Sequence, residues 1–186
     1  NEINDSIRFA DVLINIGNVY FEKGDYTLAR SNYEESYSIY VKQKYIQGQA
    51  KAANNLANAF SYFGDYKQAI EYYFKAMQIE IEGKNPKGEA ICCNNIGIMY
   101  HKLNKEKEAL NYYNKACNIY KKLDDKLNIA TTLNQIAVTY CSMQKNDTSL
   151  LLLNQALIIS EEIKHIALIA VIKNNIGEVY LAERDY

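Results

Sequence analysis

Carboxamide side chains recur along this chain at one fixed interval, and they are the residues with the most capacity for chemistry. Asn15, Asn55, Asn95, Gln135 and Asn175 share one register, and Asn54, Asn94, Asn134 and Asn174 share the adjacent one. A carboxamide carries two N–H donors and a carbonyl acceptor, the complement needed to hold the alternating C=O and N–H groups of an extended peptide. Contacts of that kind read backbone, not sequence. The competing role is internal, one amide of each pair bonding between adjacent helices, where an unpaired buried amide would cost about 1–3 kcal/mol. The residue types leave both roles open.

Other constellations are poorer. His101 and His165 have no Cys, Ser or carboxylate partner at helical spacing, and neither a Gly-rich phosphate loop nor an HExxH pair occurs. His165 is expected in a connection. The acid pairs Asp124-Asp125 and Glu161-Glu162 read as solvated charge at helix ends and loops. Cys92, Cys93, Cys117 and Cys141 have neither zinc spacing nor the density of a disulfide scaffold. They read as free thiols, Cys93 and Cys117 on core faces, and a reducing cytoplasm fits them. No enzymatic activity, no cofactor and no metal site is expected.

With 186 residues, 48% hydrophobic and 23% charged, the chain has the length and composition of a soluble domain that folds alone. A net charge of -1 with interleaved acids and bases provides no basic patch, so nucleic acid is not expected as a direct ligand. The longest apolar runs, such as Leu150 to Leu153, fall far short of the roughly 20 residues a bilayer span needs, so no membrane contact is expected. Because the chain opens on Asn1 with no Met, it reads as a piece of a longer protein.

The elements that must position the amides follow from the same interval. Ala10, Ala50, Ala90, Ala130 and Ala170 share a register; so do Gly17, Ala57, Gly97, Ala137 and Gly177, and Tyr20, Phe60, Tyr100, Tyr140 and Tyr180. Self-similarity at a fixed period of this size is the signature of a solenoid, whose units bury their apolar faces by stacking. In the first unit Leu13, Ile16, Gly17 and Tyr20 make one stripe of a helix A ending near Lys23. Gly24 suits its left-handed end and Asp25 suits the cap of helix B, which carries Tyr26, Ala29, Tyr33, Ser36 and Tyr40 to about Lys44. Gly48 marks the next break.

Repeats are thus expected over 10–48, 49–88, 89–128 and 129–168, with half a repeat at 169–186 and residues 1–9 ending a preceding helix and its connection. The connection holding Gly83, Pro86 and Gly88 reads as the least helical. Asn104-Lys105 replaces the Gly-Asp turn in repeat three. In repeat four Gln144 to Asp147 form the turn with Asp147 as cap, and Ser149 and Leu153 stand where Ala and Tyr stood. Tyr20, Tyr33, Tyr73, Tyr100, Tyr113, Tyr140 and Tyr180, being in register, are assigned to the core.

The small residue at Gly17, the aromatics at Tyr20 and Tyr33, Ala29 and Ser36, recurring in each unit, resemble the tetratricopeptide repeat. Its usual period is about 34 residues, and the longer unit with no proline after helix B resembles the long-repeat subclass. Asn55-Leu56-Ala57, Asn95-Ile96-Gly97 and Asn175-Ile176-Gly177 are similar to repeats of kinesin light chains, polarity adaptors and bacterial peptide-sensing regulators. The resemblance implies an all-α fold, a right-handed α-α superhelix of antiparallel helix pairs.

It also implies that A helices line a concave groove. The candidate peptide-binding residues are then Asn15, Asn18, Asn54, Asn55, Asn58, Tyr62, Asn94, Asn95, Ile98, Asn134, Gln135, Val138, Asn174 and Asn175. Phe21, Ile91 and His101 stand beside them, and this mixture of amides and apolar groups suits an uncharged, partly apolar peptide. Ile91, Thr131 and Val171 stand where a carboxylate clamp would need Lys and Arg, which disfavours chaperone-tail binding. The implied role is a protein or peptide interaction module, the sensing or docking part of a larger regulatory protein. The alternative is a scaffold that self-associates and leaves its groove idle. Helix A5 presents Ile172, Ile176, Val179 and Tyr180 with no helix B5 in the chain to cover them, so the 170–186 end is expected either to form a homodimer or to fray.

Overall fold

The computed structural model describes residues 2–184, and the described residues form nine α-helices: α1 (Glu2–Glu22), α2 (Tyr26–Lys42), α3 (Ile46–Tyr62), α4 (Tyr66–Glu82), α5 (Pro86–Lys102), α6 (Glu106–Lys122), α7 (Lys126–Ser142), α8 (Asn146–Glu162) and α9 (Ile166–Arg184). The odd-numbered helices are the A helices of the sequence repeat and the even-numbered ones the B helices. No described helix is long and apolar enough to cross a membrane.

The turns obey a finer rule than the 40-residue repeat. One residue in each takes a positive φ, and it recurs every 20 positions: Gly24, Lys44, Gly64, Lys84, Asn104, Asp124, Gln144 and Lys164. The next residue donates its N–H to the carbonyl five back, as Asp25 does to Tyr20 at 2.9 Å and His165 to Ser160 at 3.0 Å. That is the six-to-one bond of a Schellman end, which satisfies carbonyls the helix would otherwise leave orphaned. Connections within and between repeats are therefore the same device.

Several expectations are corrected by this geometry. Residues 2–9 belong to the same helix as Ala10, not to a separate connection. Gly48 does not break the chain; it lies inside α3, where a Cβ would come within 2.4 Å of the Tyr40 ring. Glycine is there for close approach. The Pro86 connection is no looser than the others, because Pro86 is the first residue of α5, where its missing N–H costs nothing. Asp147 lies in the first turn of α8 and does not cap it, since the left-handed Gln144 fixes the start of that helix at Asn146. Asp125, read as solvated charge, caps α7 by accepting from the Asn128 N–H at 3.2 Å.

Asp25 and Asp65 cap α2 and α4 as expected, accepting from the Leu28 and Gln68 N–H groups at 3.1 and 3.2 Å. His165 stands in the last turn and its Nδ1 accepts the Leu168 N–H at 3.2 Å.

Packing divides the chain within α5 into two compact units, one ending at Met99 and one beginning at Tyr100. In the first, Ala10, Ile14, Ala29, Tyr33, Tyr40, Ala52, Leu56 and Ala59 form a buried cluster. Small residues bring the helices close and tyrosine rings fill what remains. The Ser36 hydroxyl, fully buried, donates to the Ala10 carbonyl at 2.9 Å. In the second, Leu133, Ala137, Leu153, Ala156 and Ile172 are buried, and the Ser149 hydroxyl donates to the Ala137 carbonyl at 2.8 Å.

The tyrosine registers part company. Tyr33, Tyr73 and Tyr113, on B helices, are buried to 2% exposure. Tyr20, Tyr100 and Tyr140, near the ends of A helices, are only half-buried, and Tyr180 is 53% exposed.

Candidate binding surface

The carboxamides of the A helices occupy three different environments. Asn18 and Asn58 face the B helix of their own repeat: the Tyr33 hydroxyl donates to Asn18 Oδ1 at 2.9 Å, and the Tyr73 hydroxyl donates to Asn58 Oδ1. Helix position and ring length fix these pairs together. Burial, followed by the charge of Glu22, pushes the Tyr33 phenol up to about 12, so it remains a donor at neutral pH.

A second set joins one A helix to the next. Asn55 Nδ2 donates to Asn18 Oδ1 at 3.2 Å, linking α3 to α1, and Asn175 Nδ2 donates to the buried Asn134 Oδ1 at 2.8 Å, linking α9 to α7. The two cross-links join residues 37 and 41 positions apart, so they are drawn from different partner positions. Asn174 instead donates to Glu178 on its own helix at 2.9 Å.

The third environment is open to a partner. Asn54 Oδ1 and Gln135 Oε1 are buried and receive no hydrogen bond. Asn54 and Asn55 line a cleft of about 230 Å³ with Lys51 and Ile91 in the first unit. Asn15 is exposed and borders a depression of about 360 Å³ with Val12, Ile16 and Val19. Asn94, Asn95 and Ile98 are half-buried on α5, and Val138 is half-buried on α7 beside Asn175.

Tyr62 is 59% exposed and belongs to an aromatic group that the spacing of the amides does not reveal. It stacks on Tyr26 at 4.3 Å between centroids and meets Phe21 edge-on at 4.9 Å. Arg30 sits over Phe63 at 5.4 Å and over Phe60 at 5.7 Å. Tyr26, Arg30 and Phe63 were not among the candidate residues. The available signal was the pair Phe21 and Tyr26, five apart across a turn that folds one helix back on the other.

Cys92, Cys117 and Cys141 are held away from thiolate chemistry. Burial, then Glu80, Cys93 and Glu89, pushes the Cys92 thiol up to about 12. Burial raises Cys117 against the opposing pull of Lys121, and burial followed by Glu178 raises Cys141. A protonated thiol is a poor nucleophile and a poor ligand.

Comparison with known proteins agrees with this architecture. Models of the tetratricopeptide repeat match residues 8–80, 48–122 and 129–163. No curated protein sequence matches. Among solved structures the chain is similar to the apo form of RapI, with 19% identity, a TM-score of 0.84, and coverage of 96% of this chain and 70% of that one. It is similar to aspartyl phosphate phosphatase F from Bacillus subtilis, with 15% identity and a TM-score of 0.84, over 90% of this chain but 44% of that one. A Podosopora anserina protein of kinesin-light-chain type with nearly identical TPR-like repeats has 14% identity and a TM-score of 0.79, covering 97% and 89%. At these identities the likeness shows the fold, an all-α helical-repeat solenoid. With most of its length matched by the repeat models, the chain belongs to the tetratricopeptide repeat family and carries the protein-interaction architecture of that family.

Proposed function

We propose that the chain is the sensing or docking part of a larger regulatory protein and binds an extended, uncharged, partly apolar peptide along its A helices. It acts by binding, not catalysis. The observation that carries this reading is the pair of buried carboxamide oxygens without donors, Asn54 Oδ1 and Gln135 Oε1, one in each unit. Leaving such an oxygen unpaired costs about 1–3 kcal/mol, and a backbone N–H of a bound peptide removes that cost after a small rotation of the side chain. The cleft at Asn54 and Asn55 gives the peptide access in the first unit. The likeness to RapI and to an aspartyl phosphate phosphatase supports the helical-repeat architecture on which this reading rests.

A second reading, a scaffold with an idle groove, is favoured by the bonds Asn55 to Asn18 and Asn175 to Asn134, which engage ladder amides internally. Selection of displayed random peptides on the immobilised chain separates the two. Extended peptides should be enriched, and in a double variant, Asn54→Ala with Gln135→Ala, those held in either unit should bind about fivefold more weakly, one neutral hydrogen bond at about 1 kcal/mol being lost in each. Unchanged affinity in the double variant, or no enrichment at all, would hand the case to the scaffold.

A further inference from the structure

The fourth repeat departs from its sisters at Leu153, and a cavity stands there. In repeats one to three the B helix carries Tyr33, Tyr73 and Tyr113, each buried to 2% exposure. The Tyr33 ring lies against the backbone at Gly17, close enough that a Cβ there would come within 2.5 Å of it, and its hydroxyl ends on Asn18. The same registers in repeat four hold Leu153 and Val138. Leucine is shorter than tyrosine by most of a ring, and Val138 offers no acceptor for a hydroxyl.

The space is retained and not collapsed. Val138, Cys141, Leu153, Asn175 and Val179 line a cavity of about 230 Å³ between α7, α8 and α9, with Glu178 among the lining residues. Leu153 is fully buried at its base and Val179 is buried at 2%, while Val138, Cys141 and Asn175 are half-buried. Subtracting 120 from Val138, Cys141, Leu153, Asn175 and Val179 gives Asn18, Phe21, Tyr33, Asn55 and Ala59, the neighbourhood of the Tyr33 ring in repeat one. An apolar cavity of roughly 150 Å³ is already large enough to take benzene.

We propose that this cavity is a side-chain pocket for the phenyl ring of a phenylalanine in the bound peptide. The occupant is set by the ring the repeat lacks: Leu153 stands where the sister repeats hold a tyrosine, and the change from Asn18 to Val138 removes the partner of the phenol oxygen. The proposal rests on the peptide-binding reading, because Val138 and Asn175 are both candidate peptide-binding positions, but the cavity itself can be tested without a peptide.

The probe is toluene, the side chain of phenylalanine, titrated into the whole chain with labelled valine and leucine methyls. Toluene should shift the Val138 and Val179 methyls, and Leu153→Phe, which supplies the ring covalently, should weaken that binding by about tenfold or more while the chain stays as heat-stable as before. Should Leu153→Phe fail to fold, Val138→Phe on the half-buried wall is the substitute, with the same expected loss. No shift at these methyls, or undiminished toluene binding in the filled variants, would overturn the pocket and leave the groove reading standing. A selected peptide containing phenylalanine should compete with toluene. If it binds the chain and toluene stays in place, the peptide has no anchor here and the assignment of an occupant is wrong.

Discussion

The Tyr33 hydroxyl donates to Asn18 Oδ1 at 2.9 Å, and the same oxygen receives Asn55 Nδ2 at 3.2 Å, so one carbonyl joins α1, α2 and α3. Removing it leaves two part-buried donors facing apolar surface. Asn18→Leu is expected to destabilise the chain by about 1–3 kcal/mol in urea denaturation, and Tyr33→Phe in the same chain should recover part of the loss by deleting one stranded donor. If the single and double variants unfold at the same urea concentration, the Tyr33 hydroxyl is not satisfied through Asn18.

Two helical glycines should respond to alanine with opposite sign. Alanine in a helix interior normally gains about 0.5–1 kcal/mol over glycine. At Gly177 nothing lies within 4 Å of the added Cβ, so Gly177→Ala should raise the melting temperature of this chain. At Gly48 the added Cβ meets the Tyr40 ring at 2.4 Å, and overpacking of about 1–3 kcal/mol should exceed the propensity gain. A Gly48→Ala chain as stable as the parent would show that the ring has room to retreat.

How much of this was legible varies with the kind of residue. Ala10, Gly17 and Tyr33 mark helix faces because packing constrains residue type, and Gly24 and Asp25 mark a turn because their backbone and capping chemistry is selective. Between repeats the left-handed position falls on Lys44, Lys84 and Lys164, a residue type that gives no sign of that conformation, so Gly48 was read as the break four residues late. The amide ladder shows in the spacing, but its division into bonded and unbonded oxygens depends on where Tyr33, Tyr73 and neighbouring A helices place their donors. No spacing rule carries that. The departure at Leu153 was visible as a letter; that it leaves a cavity instead of a collapsed core was not.

The left-handed turns offer a route to stabilisation. An L residue in this region costs about 1–2 kcal/mol, whereas glycine escapes that cost and gives back about 0.5–1 kcal/mol in chain entropy. Lys44→Gly, Lys84→Gly and Lys164→Gly, at φ values of 54, 53 and 55°, should each stabilise by up to about 1 kcal/mol. Asn104→Gly should gain less, since asparagine tolerates the region. Thermal melts of the four variants rank them; a larger gain at Asn104 than at the lysines would contradict the argument.

Alkaline pH should unfold the chain through its buried phenols and thiols. Cys92 is raised from an ordinary 9.0, and Tyr33 from an ordinary 10.0, each to about 12. Above their ordinary values the unfolded chain loses protons that the folded chain keeps, so stability falls as pH rises. The contribution is complete below about pH 9, declines from there for Cys92 and from pH 10 for Tyr33, and is exhausted above about pH 12. Urea midpoints taken from pH 7 to pH 11 should be flat and then fall, and Cys92→Ala should make the fall between pH 9 and pH 10 shallower, the raised thiols of Cys117 and Cys141 supplying what is left of it. Midpoints independent of pH over that range would show these groups to be as hydrated in the fold as out of it.

The unpaired oxygen of Asn54 sets stability against binding. With no donor in reach, this buried oxygen contributes a penalty to the free chain, and an apolar residue of similar size has none to contribute. Asn54→Leu should therefore leave the melting temperature unchanged or raise it, while a peptide selected on the parent chain binds about tenfold more weakly for want of about 1.4 kcal/mol. The two measurements belong together, because a purely structural amide predicts the reverse pattern, lower stability with binding intact. A variant that loses stability and keeps its peptide would place Asn54 among the internal cross-links beside Asn55, and the ligand-facing part of the ladder would have to be sought at Gln135.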